Sequence, residues 1–475
     1  MSDSYETKST GTLRATTSNN TGRYERTGLA ELDNVHIPAA CFIRSRPESA
    51  NLPQHWSSQV HPEGQIYFCR QGAPRVVTEA YLHRPETLGK VTRWVQKIEE
   101  MLADQHFRMT EQVELFIKIE EDDCAYYFVD HVTHTEFWLE ELNTYDLGLP
   151  PVVSLQQFSI ISEELYWSHV EHFPMHFGGV STESLDSLLC VLTHAICDQM
   201  TSKVSTFPYS KQECEGFVSL LKNSRGHATD GNITCVVGRI WSLVFRNRYL
   251  TQYGQENSRL SRDQSVLYAP ETKHQWVSTL ANRVSFNISE RYLAQLDDVF
   301  VDHLVYSEQW KNLIAGCLKD WRASLHGAFF GLMLHVFLLS LQSCPTLAVT
   351  SALLFGASLL GSTLLMHRYG PLEGISATQA MEYLESIQSP TFKFRFVALM
   401  FALPDALRLW GMLVFFANGI CMTHAYLGTA FAAGISIAAL LVIFMFQWTT
   451  SERFNNALAN LRSFRSQDDT YTSLV

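Results

Sequence analysis

Apolar and polar positions follow three rhythms along this chain. Between residues 323 and 448 apolar positions merge into long runs at 323–342, 346–366, 396–422 and 425–448. The first, second and fourth runs hold no charged residue, and each is near the ~20 positions a helix needs to cross ~30 Å of hydrocarbon. The pattern predicts four membrane-spanning helices, the first two joined at Ser343, Cys344 and Pro345. Buried core helices of a large soluble protein are the other source of such runs.

The third run contains Pro404, Asp405 and Arg408. Asp405 and Arg408 are neighbours on one helical face. Two readings stand: an intramembrane ion pair beside a polar pathway, or a pair marking the surface of a shorter span that Pro404 begins. His335, in the first run, is a candidate proton-binding group or a donor to a neighbouring helix. Lys319, Arg322, Arg368, Lys393, Arg395, Arg453, Arg462 and Arg465 would all flank four spans on one side, which predicts cytosolic amino and carboxyl termini. Small residues at Ala357, Gly361, Ser358 and Ser362, and at Ala430, Gly434 and Ala438, predict close helix contacts within the bundle or with a second copy.

The second rhythm is strict alternation. Residues 52–78 alternate apolar and polar, break at Pro62-Glu63-Gly64, alternate again, and resume after Gly72-Ala73-Pro74. Residues 113–139 repeat the pattern about sixty positions later, with Trp56 falling on Phe116, Tyr67 on Tyr127 and Phe68 on Phe128. Each copy predicts three short strands and two turns. Between the copies, Leu88, Val91, Val95, Ile98 and Leu102 mark one face of a linking helix over 85–104.

The third rhythm has helical spacing and covers 152–322. It predicts helices over 181–203, from a capping box at Ser210 and Glu213 to about 221, over 233–249, and over 289–322, the last as a connecting helix or helix pair running on toward the first apolar run. Residues 254–272 read as a loop. Residues 1–30, rich in Ser, Thr, Asn and Gly, read as a disordered tail.

The repeat resembles the WW domain, a three-stranded module for proline-rich peptides. Units at 48–82 and 112–142 carry the likeness, the second through Tyr127-Phe128-Val129-Asp130-His131, Thr133 and Trp138. The resemblance implies an aromatic slot formed by Tyr127 and Trp138, with Val129, His131 and His134 lining the adjacent pocket. The chain departs from the pattern at Phe116, Glu136 and Thr78, and lacks a closing proline after Leu139. Leu149-Pro150-Pro151-Val152 is a possible internal ligand. With the runs at His61 to Phe68 and Tyr166 to Pro174, the arrangement is similar to fungal multi-span membrane proteins of unassigned activity that carry degenerate WW modules.

Composition removes some function classes. Asp and Glu number 48 against 36 Lys and Arg, a net charge of −12, and no basic run exists, so no nucleic-acid partner is expected. None of the ten cysteines forms a C-x-x-C pair, which fits reduced thiols better than a disulfide frame or zinc site. His169, Glu171 and His172 cluster, as do His194 and Asp198, but a metal site would need the two groups to converge. No nucleotide-binding, nucleophile-elbow or metalloprotease motif occurs.

The resulting expectation is an α-helical membrane protein with four transmembrane helices at 323–448, a short tail at 449–475, and a cytosolic α+β region of two three-stranded WW-like units plus a helical bundle. The expected function is membrane-anchored scaffolding through the WW-like module, without enzymatic activity, metal or cofactor. Its partners would be the lipid bilayer, a proline-rich peptide and a second copy of the chain. The alternative is a small transporter or channel component using Asp405, Arg408 and His335.

Overall fold

A computed structural model describes residues 11–23, 52–267 except 106, 108 and 203, 275–338 and 345–450, with scattered positions between 29 and 39. The chain forms two compact units, Met1–Leu267 and Tyr268–Val475.

In unit 1 the alternating stretches become strands at the expected offset. β2 (Trp56–Val60), β3 (Ile66–Arg70) and β4 (Arg75–Thr78) form one antiparallel meander. β5 (Val113–Glu120), β6 (Asp123–Asp130) and β7 (Thr135–Phe137) form the second. Helix α1 (Pro85–Asp104) carries the chain from β4 to β5, and these two strands pair in parallel with Val77 opposite Phe116. Parallel pairing needs such a crossover, whereas the antiparallel pairs need only tight turns. With β1 (Leu13–Ala15), the product is one seven-stranded mixed sheet in the order β1-β6-β5-β4-β3-β2, with β7 also paired to β6. β1 lies parallel to the first half of β6.

This sheet overturns the two WW-like units. The strands and their repeat are present, but they are halves of one sheet that is covered on both faces. Along β6, Tyr126 and Phe128 point to one face and Tyr127 and Val129 to the other, and all four are at most 1% exposed. On the first face α1 packs Val91, Val95, Ile98 and Leu102 against them. On the second, α2 (Leu155–His172), α3 (Thr182–Thr201), α4 (Lys211–Ser224) and α5 (Gly231–Leu250) supply Trp167, Val170, Leu188, Leu221 and Val237. A strand apolar on both sides must be buried on both sides, so no open ligand face is left. The predicted capping box of α4 is in place at Ser210 and Glu213, and Ser181 caps α3.

Part of the stretch read as disordered is also ordered. Beyond β1, the Thr16 amide donates to the Tyr126 carbonyl at 2.9 Å, and Ser18 Oγ donates to the Leu165 carbonyl at 2.7 Å. Polar composition hid this because the segment contributes backbone hydrogen bonds more than apolar area.

Helices α2 and α5 cross at Gly238. A Cβ there would lie 2.8 Å from the Glu171 nitrogen and 3.1 Å from the Trp167 carbonyl oxygen. Both are backbone atoms and cannot rotate away. Gly238→Ala is therefore expected to cost about 1–3 kcal/mol by forcing the helices apart. Urea unfolding followed by tryptophan fluorescence checks this, and a variant as stable as the parent would refute the close crossing.

Unit 2 is helical: α6 (Gln275–Val284), α7 (Ile288–Val299), α8 (Ser307–Leu338), α9 (Pro345–Tyr369), α10 (Ala377–Ile387), α11 (Arg395–Leu427) and α12 (Thr429–Thr450). Its core gathers Trp310, Trp321, Tyr369, Leu384 and Phe401. Among the described residues two helices are long and apolar enough to cross a membrane, Pro345–Gly374 and Arg395–Leu427, while Thr429–Met445 is apolar but shorter. The four-span, multi-pass arrangement is corrected accordingly, and with it the cytosolic placement of both termini, which rested on counting four spans. Residues 323–338 of the first apolar run are the second half of α8, whose first half carries Lys311, Lys319, Asp320 and Arg322 and buries Trp310, Cys317 and Trp321. Composition within the run does not report that it continues such a helix. Residues 339–344, with Ser343 and Cys344, and residues 451–475 lie outside the described residues.

Pro404 does not begin a helix but sits inside α11. Its missing N–H leaves a gap in the helical ladder, and neighbouring helices supply donors nearby. Trp321 Nε1 donates to the Phe401 carbonyl at 3.0 Å, and Ser358 Oγ donates to the Pro404 carbonyl at 2.6 Å.

Candidate metal centre

The densest polar cluster in unit 1 lies between the sheet and α2. Glu114, on β5, is wholly buried, on the face that Phe116 shares and that α2 covers. Three imidazoles reach it from three different segments. His169 of α2 places Nε2 2.9 Å from Oε1. His176, just after α2, places Nε2 2.9 Å from Oε2. His131, in the turn after β6, places Nε2 3.4 Å from Oε2. Arg75, opposite Glu114 in the parallel β4–β5 register, brings Nε to 3.8 Å.

Charge and tautomer follow from the partners. Burial pushes the Glu114 carboxyl up, but His176, His169 and the hydrogen bonds from His131 and His169 outweigh it and hold the group well below the usual range. It is therefore a carboxylate. Burial lowers His169, and its contacts with Glu114 do not make this good. His169 is thus neutral: Nε2–H donates to Glu114, and Nδ1 accepts from the Tyr127 hydroxyl at 3.0 Å. Burial also works against a charge on His176, but Glu114 and the hydrogen bonds that the ring donates to Cys69 and Glu114 raise it well above its ordinary value. Its Nδ1–H donates to the Tyr67 oxygen at 3.0 Å, which also accepts from the Met175 amide at 2.8 Å.

His131 differs from the other two. Its side chain is 4% exposed, and Nδ1 has no hydrogen-bond partner among the described residues. The ring borders a polar cleft of about 490 Å³ lined also by Arg75, Gln112, His134, Ser181 and Ser184. Gly179 shapes one wall at φ +102°, where a Cβ would strike Thr229 Cα at 2.4 Å. This fixes the chain just before the N-terminus of α3, an entry that only glycine makes without strain.

One carboxylate and two imidazoles, those of Glu114, His131 and His169, offer ligand atoms that all lie within 4.8 Å of one another. Two nitrogens and one oxygen form a donor set suited to first-row divalent ions. Tyr127, bonded to His169 Nδ1, is the kind of outer partner that orients a metal-binding imidazole.

The residues singled out from sequence are redistributed. Tyr127 and Val129 are buried in the sheet core, and Trp138 donates its Nε1–H to the Thr16 carbonyl at 2.6 Å. These three form no surface slot. His134 stacks on Tyr166 with ring centres 4.5 Å apart, and burial, then the neighbouring His131, lowers it. Pro151 accepts from the Tyr249 hydroxyl at 2.9 Å, so this proline segment is bound to the end of α5. Of the suspected metal residues, only His169 joins the cluster. Glu171 pairs with Arg239 at 2.7 Å, burial drives His172 down to about 3, and His194 lies exposed on α3. Glu114 and His176 were missed, because a Glu among strand residues reads as a solvent-facing position. A polar residue facing Phe116's side of a doubly apolar strand was the available signal.

In unit 2 Asp405 and Arg408 do pair, Oδ1 to Nη2 at 2.5 Å, with Ser324 Oγ donating to the same oxygen at 3.1 Å. His335 is not brought to them. Its Nε2 lies 2.9 Å from Ser351 Oγ, which donates to the Gly411 carbonyl at 2.8 Å, so the imidazole donates to a hydroxyl that relays to a neighbouring helix. Compared with known proteins, the chain matches no family model and no solved structure.

Proposed function

We propose that unit 1 binds a divalent transition-metal ion, of the zinc class, between Glu114, His131 and His169. The observation that carries the reading is the approach of these three ligand atoms to within 4.8 Å of one another at a buried position. Metal–ligand bonds of ~2.0–2.2 Å put tetrahedral ligand atoms roughly 3.3 Å apart. His169 Nε2 lies 2.9 Å from Oε1 of Glu114 and His131 Nε2 3.4 Å from Oε2, separations of that order. For a metal ion to bind Nε2 of His169, the imidazole hydrogen moves to Nδ1 and the Tyr127 hydroxyl, 3.0 Å away, turns to accept it. Three protein ligands leave a coordination position for water or another group.

Cobalt is the test. The full-length chain, stripped with a chelator and titrated with Co²⁺, is expected to develop the visible bands of a four-coordinate ion. These should saturate at a single equivalent and vanish when Zn²⁺, the stronger binder, displaces cobalt. His169→Gln should abolish the bands while circular dichroism shows the fold retained. Absence of the bands in the parent chain, or their persistence in His169→Gln, would remove the reading.

A further inference from the structure

The polar cleft beside His131 has features that point to its ligand. Arg75 lies on its wall, and no hydrogen bond to its guanidinium is found among the described residues; its Nε is buried and unsatisfied. Its nearest carboxylate oxygen, Glu114 Oε2, lies 3.8 Å from Nε, beyond hydrogen-bond reach, and a largely buried guanidinium without a hydrogen-bond acceptor is costly; an oxygen in the cleft would supply one. Ser181 and Ser184 place the first turn of α3 on the same cleft. The free N–H groups and dipole of a helix N-terminus favour negative charge. The unpartnered Nδ1 of His131, on an almost wholly buried ring, is the third feature.

Metal binding at Nε2 fixes the meaning of that third feature. A neutral imidazole that gives Nε2 to a metal carries its hydrogen on Nδ1. Metal-bound histidines almost always donate that hydrogen to a carboxylate, carbonyl or water. Among the described residues no such acceptor serves His131 Nδ1. Net charge agrees: Arg75 and a dication stand against the single carboxylate Glu114. Glu111, the acidic residue of the cleft, is exposed at its rim.

We infer that the cleft binds a small molecule through an oxyanion group, a carboxylate or a phosphate-like tetrahedral anion, which accepts from Arg75 and from His131 Nδ1–H. The inference rests on the metal reading for the hydrogen at Nδ1, while Arg75 and the start of α3 stand apart from it. The anion is an outer partner of the metal site and completes the orientation of His131.

Calorimetric titration of the zinc-loaded full-length chain with sodium sulfate and with sodium acetate, at ionic strength held constant with sodium chloride, tests this. Binding of at least one of the two is expected, and the preference between them separates tetrahedral from planar oxyanions. Arg75→Gln should weaken that binding by about tenfold or more, the usual loss with one charge-assisted hydrogen bond, in a chain that still binds zinc. Arg75→Lys should restore part of it. Zinc binding with no response to either anion overturns the inference and leaves the metal reading standing. Equal anion binding by the parent and Arg75→Gln also overturns it. Anion binding that is lost in Arg75→Gln but indifferent to zinc supports the oxyanion site and counts against the metal.

Discussion

Glu114→Gln is expected to lower the stability of unit 1 by on the order of 3–5 kcal/mol, the loss typical of removing one member of a buried charge network. The carboxylate is the acceptor for His169 and His176 at 2.9 Å each and lies 3.8 Å from the Arg75 guanidinium. The substitution keeps the shape and removes the charge. It leaves the His176 imidazolium, which owes its raised proton affinity chiefly to Glu114, buried without a counter-ion. The new amide also brings N–H donors to face N–H donors, leaving groups unsatisfied in a site closed to water. Urea unfolding of the full-length chain, read by tryptophan fluorescence, measures the loss, and Zn²⁺ or Co²⁺ binding should disappear with it. Glu114→Asp keeps the charge but shortens the reach by one methylene, so it should fall between the two. If Glu114→Gln unfolds at the parent's urea midpoint, the carboxylate is not the counter-ion of this cluster.

The second large effect is a response to pH at Glu136, on β7. Glu136 is 3% exposed, and its two oxygens accept from the Ser18 amide at 3.2 Å each. Burial pushes its carboxyl up to about 8, against the pull of the Ser18 hydrogen bonds. In the unfolded chain the group titrates near ~4.3. Between these values the folded protein keeps a proton that the unfolded chain has released. Stability therefore falls as pH rises from about 4.3 through about 8, by an amount on the order of 3–5 kcal/mol at the upper end. Below that window the group is protonated in both states and contributes nothing to the slope. Glu136→Gln, neutral throughout, should match the parent near pH ~5 and exceed it near pH ~9. Equal pH slopes for the two proteins would show that Glu136 is not protonated in the fold.

Glu136 also shows why the WW resemblance misled. In that pattern the position faces a solvent-open slot, and a Glu there is a surface departure. In the fold it is closed over by the segment at Ser18 and by Ser162 Oγ, which accepts from its amide at 3.3 Å. That segment comes from more than a hundred residues away, in a stretch whose composition suggested no structure. The apolar runs of unit 2 carry the same lesson. Leucine, phenylalanine and alanine have the same periodic signature whether they face lipid or other helices. In α8 the run continues a helix whose charged first half buries tryptophans, and the run itself holds no sign of that.

By itself the amino-acid order determined the local features. These include the sixty-residue repeat of strand, turn and strand, the helix from Pro85, the capping box at Ser210 and Glu213, and the unbroken passage from the soluble helix into the first apolar run. Each depends on residues within a pleat, a turn or a few helical turns, where periodicity and capping chemistry act directly. Only the tertiary structure decided that the two repeats share one sheet through the parallel β4–β5 pairing, and that Glu114 collects its histidines. Those partners lie 17, 55 and 62 residues away, on a turn, on a helix and on the chain just beyond it. A buried carboxylate is tolerable only where such groups converge on it, and convergence depends on how whole elements pack, which no local spacing encodes.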